Sequence, residues 1–144
     1  MFVLDTNVVS ELRKARTGKA DPNVVAWAGS LRPALMFLSA ITLMELEQGT
    51  QQLERRDPKQ GALIRHWLHA QVTPAFFERI LPVDATVALR CARLHVPDPR
   101  NERDALIAAT ALVHGMTVVT RNVCDFSATG VALLNPWEPA APAA

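Results

Sequence analysis

Four carboxylates stand where a turn of the chain should expose them: Asp5 in FVLDTN, Glu45 in TLMELE, Asp104 in NERDALIAATA and Asp125 in VVTRNVCDF. Asp5 follows an apolar run that begins at Met1, and Asp125 follows another, TVVT. A carboxylate just past a buried strand lies at that strand's carboxyl end, the edge where open α/β sheets bind ligands. Acidic oxygens gathered at such an edge suit a divalent cation. The chemistry they point to is metal-assisted work on a phosphodiester.

The chain holds 14 acidic residues, so the contexts of these four carry the inference. Asp104 is the third residue of an expected helix whose remainder, ALIAATALV, is almost wholly apolar. Such a helix is buried on most sides, so a charge in its first turn lies at the rim of the core. Glu45 follows SAITLM, again with few polar neighbours. A carboxylate in such a place needs a cation, a hydrogen-bond partner or a raised pKa. Each acid also has a structural use. Asp5 suits a helix cap, Asp104 the positive end of a helix dipole, Glu45 an arginine partner and Asp125 an Asx turn. Gathered on one edge of a fold, the four are not independent.

Apolar strands and helical patterns alternate along the chain. Strands are expected at Phe2 to Leu4, Leu35 to Leu38, Ile80 to Val83, Thr117 to Thr120 and Val131 to Leu134. Thr6 or Asn7 is the expected cap of a helix over Val8 to Arg16, and Asp21 with Pro22 opens a second. Ser39 and Thr42 are candidate caps for a helix to about Arg56. Pro58 to Arg79 reads as one helix broken near Thr73-Pro74. Ala85 to His95 carries Val87, Cys91 and Leu94 on one face. Asn101 caps Glu102 to His114, and Gly115 ends it. This alternation predicts an α/β fold: a central, mostly parallel sheet flanked by helices on both faces. One domain over residues 1–139 and a flexible Pro/Ala-rich tail at 140–144 are expected.

The bulk composition sets bounds. A chain of 144 residues supports one domain with a substantial core. A hydrophobic content of 49% and a charged content of 20% are ordinary for a globular protein. The net charge of +1 neither announces nor excludes a nucleic-acid partner, because an acidic pocket cancels a basic rim. Cys91 and Cys124 match no metal spacing, and no secretory pattern opens the chain, so a reduced, cytoplasmic protein is expected. No apolar run approaches the roughly 20 residues that cross a bilayer. His66 and His69, and the aromatics Trp27, Trp67, Phe76 and Phe77, read as partner-facing or packing residues. Arg13, Lys14, Arg16 and Lys19 form a basic flank beyond Asp5.

The DTN after the first strand, the central Glu45, the RDALIAATA helix and the TRNVCDF segment resemble the PIN domain. More narrowly, they resemble the toxin nucleases of bacterial VapBC and FitAB type toxin–antitoxin modules. The resemblance runs from Met1 to about Pro139 and keeps the order and spacing of the acids. It implies that Asp5, Glu45, Asp104 and Asp125 are the catalytic, metal-binding quartet for Mg²⁺ or Mn²⁺, with Asp5 and Asp104 as the principal site. It implies substrate-lining roles for Thr6, Asn7, Ser10, Thr120, Arg121 and Asn122. It implies a metal-dependent ribonuclease toxin, active on RNA through a metal-activated water, that forms a homodimer and is silenced by a cognate antitoxin, in assemblies able to sit on operator DNA. Two other readings compete. One is a PIN-fold scaffold that binds RNA or a partner without cleaving, which has no need to keep four clustered charges. The other is a metal-dependent phosphatase with an aspartyl nucleophile, which needs an acid two positions after Asp5, where Asn7 stands. No P-loop or dinucleotide fingerprint is present.

Overall fold

The computed structural model describes residues 1–140. Its five short strands, β1 (Phe2–Leu4), β2 (Met36–Ser39), β3 (Ile80–Leu81), β4 (Thr117–Val119) and β5 (Leu133–Leu134), pair in the order β3-β2-β1-β4-β5. Every pairing is parallel. β1 is central, with β2 on one side and β4 on the other. The chain builds outward through β2 and β3, then returns to the opposite side of β1 for β4 and β5. The strand order therefore reverses between β1 and β4. A crevice opens at such a point outside the carboxyl ends of the strands.

Successive strand residues face opposite sides of a sheet, and the two halves of the core follow that alternation. Val3 and Val118 pack with Val87, Cys91 and Leu94 of α6 (Ala85–Leu94) and with Ala105, Ile107, Ala108 and Ala111 of α7 (Glu102–His114). Leu4, Leu38 and Val119 face the other way. They pack with Val8 and Val9 of α1 (Thr6–Arg13), Leu46 of α3 (Ala40–Arg56), and Leu68 and Val72 beyond α4 (Pro58–Trp67). The short α2 (Pro22–Gly29) adds Trp27, whose ring meets Phe2 edge-on at 5.4 Å. The expected α/β sandwich is thus observed, with the three residues of β1 covered on both faces.

Local chemistry explains most element boundaries. Asn101 accepts the Asp104 N–H at 3.1 Å and opens α7. Gly115, at φ 65°, ends that helix, and the Met116 N–H returns to the Ala111 carbonyl at 2.9 Å. Two expectations need correction. The cap of α1 is Asp5, whose carboxylate accepts the Thr6 N–H at 2.8 Å, not Thr6 or Asn7. Those two residues already lie inside the helix, so their side chains are free for other bonds. The break expected at Thr73-Pro74 falls earlier, as a wide π-type turn over Leu68–Val72 before the three-residue α5 (Thr73–Ala75). The Pro74 ring would collide with the carbonyl four residues back in a regular helix, and widening the turn relieves this. Thr73 anchors the wide turn by donating its backbone N–H and its hydroxyl to the Leu68 carbonyl. A further short helix, α8 (Val123–Phe126), stands where only a loop was expected. Of the tail expected at 140–144, residues 141–144 lie outside the described residues. No helix among the described residues is long and apolar enough to cross a membrane.

The contact of α3 with α4 yields a stability test. Gly61 of α4 is buried, and a Cβ there would come within 2.5 Å of the Glu54 Cα and 2.8 Å of its backbone nitrogen. An alanine in place of a helical glycine normally stabilises by roughly 0.5–1 kcal/mol. Here the clash is with backbone, so Gly61→Ala is expected to destabilise by about 1–3 kcal/mol. Urea unfolding measures the change, and a more stable variant would show that the two helices do not meet this closely.

Candidate active site

Asp5 and Thr120 are the first residues past the two strands that flank the strand-order reversal. The Asp5 N–H extends the β1–β4 ladder by donating to the Val119 carbonyl at 2.9 Å, and the Thr120 N–H donates to the Leu134 carbonyl at 3.0 Å. Both residues are thereby fixed by sheet hydrogen bonds rather than by a loop. Asp5 is 7% exposed and Thr120 is fully buried. The Thr120 hydroxyl donates to Asp5 Oδ2 at 2.8 Å, while the Thr6 N–H donates to Oδ1 at 2.8 Å. The Asn7 amide lies 3.4 Å from Asp5 Oδ2 and 3.3 Å from Thr120 Oγ1. Its carbonyl oxygen accepts the Arg121 N–H at 3.3 Å, and the Asn122 N–H donates to Thr120 Oγ1 at 3.0 Å. Backbone and side chains from two distant segments therefore converge on one carboxylate.

The other acids approach from three helices. Glu45 lies in the second turn of α3, and its Oε1 accepts the Thr6 hydroxyl at 2.8 Å. Its Oε2 faces Arg103 Nη1 at 3.6 Å, so the arginine partner suited to Glu45 is present as well. Asp104 lies in the first turn of α7 and Asp125 in α8. Burial raises the pKa of Asp104 to about 6, and the charges of Asp5, Asp125 and Glu45 push in the same direction. Burial likewise raises Asp5. The bonds from Thr120 and Thr6 oppose that shift, and the charges of Glu45 and Asp125 add to it. The four carboxylates thus sense one another's charge across a single cleft. Among the described residues, no three His, Cys, Asp or Glu side chains stand close enough to hold an ion by themselves.

The residues expected to line a substrate path divide into two groups. Thr6, Ser10 and Arg13 share a groove of about 320 Å³ with Glu45, bounded on its far side by Leu53, Ile64 and Trp67. Thr120, Asn7 and Asn122 instead spend hydrogen bonds on holding Asp5. Thr120 is corrected from a substrate contact to a positioning residue, because a fully buried hydroxyl cannot meet a strand of nucleic acid. Arg121 is exposed, and its guanidinium stands over the Trp137 ring at 5.3 Å. In the basic flank, Lys14 pairs with Glu11 at 3.0 Å, and Arg13 stands over the Trp67 ring at 5.9 Å. His69 contacts Arg65 rather than His66, and Arg65 joins Glu47 and Glu54 at 2.6 Å each. Sequence reasoning missed Arg103, although a cation in the first turn of α7 opposes the helix dipole and called for a reason.

A family model for the PIN domain matches residues 2–130. The chain belongs to the PIN-domain family. It is 38% identical to a VapC ribonuclease, Y4jK of Sinorhizobium fredii, over 97% of this chain and 100% of that protein. It is 37% identical to the toxin FitB of Neisseria gonorrhoeae, over 95% of this chain and 99% of that one. Among solved structures, it superposes on a chain of the FitAB complex bound to a DNA fragment with a TM-score of 0.88. That match has 35% identity and covers 99% of this chain and 100% of the other.

The burial of Asp104, reinforced by the neighbouring like charges, predicts a pH dependence. Asp104 binds its proton more tightly in the folded chain, at about 6, than at its ordinary value of 3.8. A carboxyl of this kind favours the folded state most below its unfolded pKa and loses that contribution as pH rises through its folded pKa. In metal-free protein the stability of wild type minus that of Asp104→Asn is therefore expected to fall between pH 3.8 and about 6. Thermal melts of both proteins in chelator across that range measure it. A difference that stays flat or rises with pH would contradict the placement of Asp104.

Proposed function

We propose that this chain is a divalent-metal-dependent endoribonuclease and the toxin of a type II toxin–antitoxin pair. The observation that carries the reading is that Asp5, at the carboxyl end of β1, and Asp104 lie within reach of the charges of Glu45 and Asp125. There burial, and after it repulsion between the acids, holds Asp5 and Asp104 above the ordinary carboxylate range. A cation relieves that repulsion, and an all-oxygen donor set fits Mg²⁺ or Mn²⁺. Mg²⁺ keeps several waters and takes only one or two carboxylates directly, so it does not require three tightly convergent acids. Asp5 and Asp104 would hold the ion, with Glu45 and Asp125 completing the site directly or through water. Bound there, the ion would lower the pKa of a water and neutralise charge on a phosphate.

The rest of the chemistry belongs to the chain. Thr120 and the Thr6 N–H fix the two oxygens of Asp5, so the carboxylate is oriented before any ligand arrives. Thr6 does the same for Glu45. The groove shared by Thr6, Ser10, Arg13 and Glu45 has largely apolar walls and offers an extended strand one cation and two hydroxyls. Asn7 stands where an aspartyl-nucleophile phosphatase needs its second acid, and its amide is already directed to Asp5 and Thr120. The ribonuclease and toxin names of the relatives support RNA as substrate.

A toxin must be held silent, and the FitAB neighbour is a complex. An acidic cleft attracts guanidinium and ammonium groups, so a basic side chain from a protein antitoxin is the simplest plug. We place a homodimer in the same reading. Three substitutions test the catalytic assignment. Asp5→Asn and Asp104→Asn are expected to abolish RNA cleavage and growth arrest with the fold retained. Thr120→Val keeps the shape but removes one hydrogen bond to Asp5, and is expected to cost about 10–100-fold in metal affinity or cleavage, as loss of a ligand's supporting partner does. Cleavage assays with circular dichroism on the same samples give the answer. Full activity in either aspartate variant would sink the assignment.

A further inference from the structure

Arg103 is the cation nearest the candidate site that the proposed chemistry leaves without a role. It sits in the first turn of α7, beside Asp104, where the helix dipole disfavours positive charge. Its compensation is a single ion pair, to Glu45 Oε2 at 3.6 Å, with 44% of the Arg103 side chain exposed. A pair this long and this open contributes little to stability. By contrast, Arg65 is clamped at 2.6 Å by two carboxylates. Arg103 is therefore held loosely, by a carboxylate of the very cluster that would receive the metal.

Resting on the metal-dependent reading above, we propose that Arg103 is an exchangeable cation of the active site. Without metal it neutralises Glu45. When Glu45 turns to the ion or its water shell, Arg103 is released to a phosphate of the nucleic-acid strand. The guanidinium suits both partners, because its planar fork binds carboxylates and phosphates alike. The helix end that disfavours the cation favours the anion it would bind, so a phosphate between Arg103 and the start of α7 is attracted by both. Arg103 thus opposes metal binding in the empty site and assists substrate binding in the loaded one. A purely structural ion pair has neither property, since breaking it would loosen Glu45 and weaken both ligands together.

The two effects have opposite signs, and that makes the role testable with Arg103→Gln and the charge-conserving Arg103→Lys. Mn²⁺ binding to metal-free protein is measured by calorimetry with no nucleic acid present. Binding of a fluorescent mixed-sequence single-stranded DNA, which presents the phosphates, is measured with saturating Mn²⁺ across a series of KCl concentrations. In Arg103→Gln, Mn²⁺ is expected to bind about two- to fivefold more tightly, the fold-change matching loss of an exposed ion pair. The slope of log affinity against log salt is expected to shrink by about 0.7, the loss of one phosphate contact on a single strand. Arg103→Lys is expected to fall between the variant and wild type in metal affinity and to keep most of the salt slope. Weaker or unchanged Mn²⁺ binding in Arg103→Gln, or an unchanged salt slope, overturns the proposal while leaving the ribonuclease reading intact. Wild-type protein that binds no Mn²⁺ defeats the metal site itself and this inference with it.

Discussion

A carboxylate buried at the end of the central strand is the constraint around which the rest of the molecule is arranged. Asp5 is almost fully enclosed and feels the charges of Glu45 and Asp125. Burying such a group without partners costs several kcal/mol. The fold supplies partial compensation through the Thr6 N–H and the Thr120 hydroxyl. That compensation exists only because β1 and β4 are neighbours in register, Leu4 opposite Val119, so that the residues after each strand meet. Placing β4 beside β1 in turn requires the chain to return across the sheet after β3. The reversal of strand order, the burial of Asp5 and the position of Thr120 are three aspects of one arrangement.

The two faces of the sheet serve the site in different ways. On one face, α7 runs close to β1 and β4 because its inward residues are small: Ala105, Ala108, Ala109 and Ala111 are buried with Ile107. This close approach brings Asp104 to the strand ends without a loop. On the other face, α3 starts directly from β2 with Ser39 as its cap, which puts Glu45 one and a half turns along the helix. Rigid elements thus carry three of the four acids. Asp125 is the exception, exposed on a four-residue helix. The like charges that add to the effect of burial on Asp104 and Asp5 also make the site receptive to a cation. Arg103 already occupies part of that role within the chain.

Much of this was legible in the residues alone. Phe2 to Leu4, Asn101 to Gly115 and the buried trio Val87, Cys91 and Leu94 were readable because strand alternation, caps and helical spacing are local properties. The four acids stand out in the sequence because each lies just past an apolar run or at the start of an apolar helix. What escaped depends on distant segments meeting. Thr120 read as a substrate contact because its burial follows from β5 and α1 closing over it. Thr6 and Asn7 suit the start of α1 as well as Asp5 does, and the strand pairing that fixes the Asp5 backbone is what makes Asp5 the cap. The π-type turn at Leu68–Val72 and the helix at Val123–Phe126 are too short to leave a periodic signal. The pairing of Glu45 with Arg103 joins residues 58 apart, and only the meeting of α3 with α7 shows it.

On the proposed reading, a divalent ion would displace protons and relieve repulsion at Asp5 and Asp104. The most direct test is the number of protons released when Mn²⁺ binds, obtained by calorimetry in buffers of different ionisation enthalpy. With Asp104 titrating at about 6, roughly half a proton per ion should leave that residue at pH 6, and almost none at pH 8. Release at pH 6 that vanishes at pH 8, and that disappears in Asp104→Asn, is the expected result. Mn²⁺ binding with no proton release at pH 6, or with the same release in Asp104→Asn, would contradict the account.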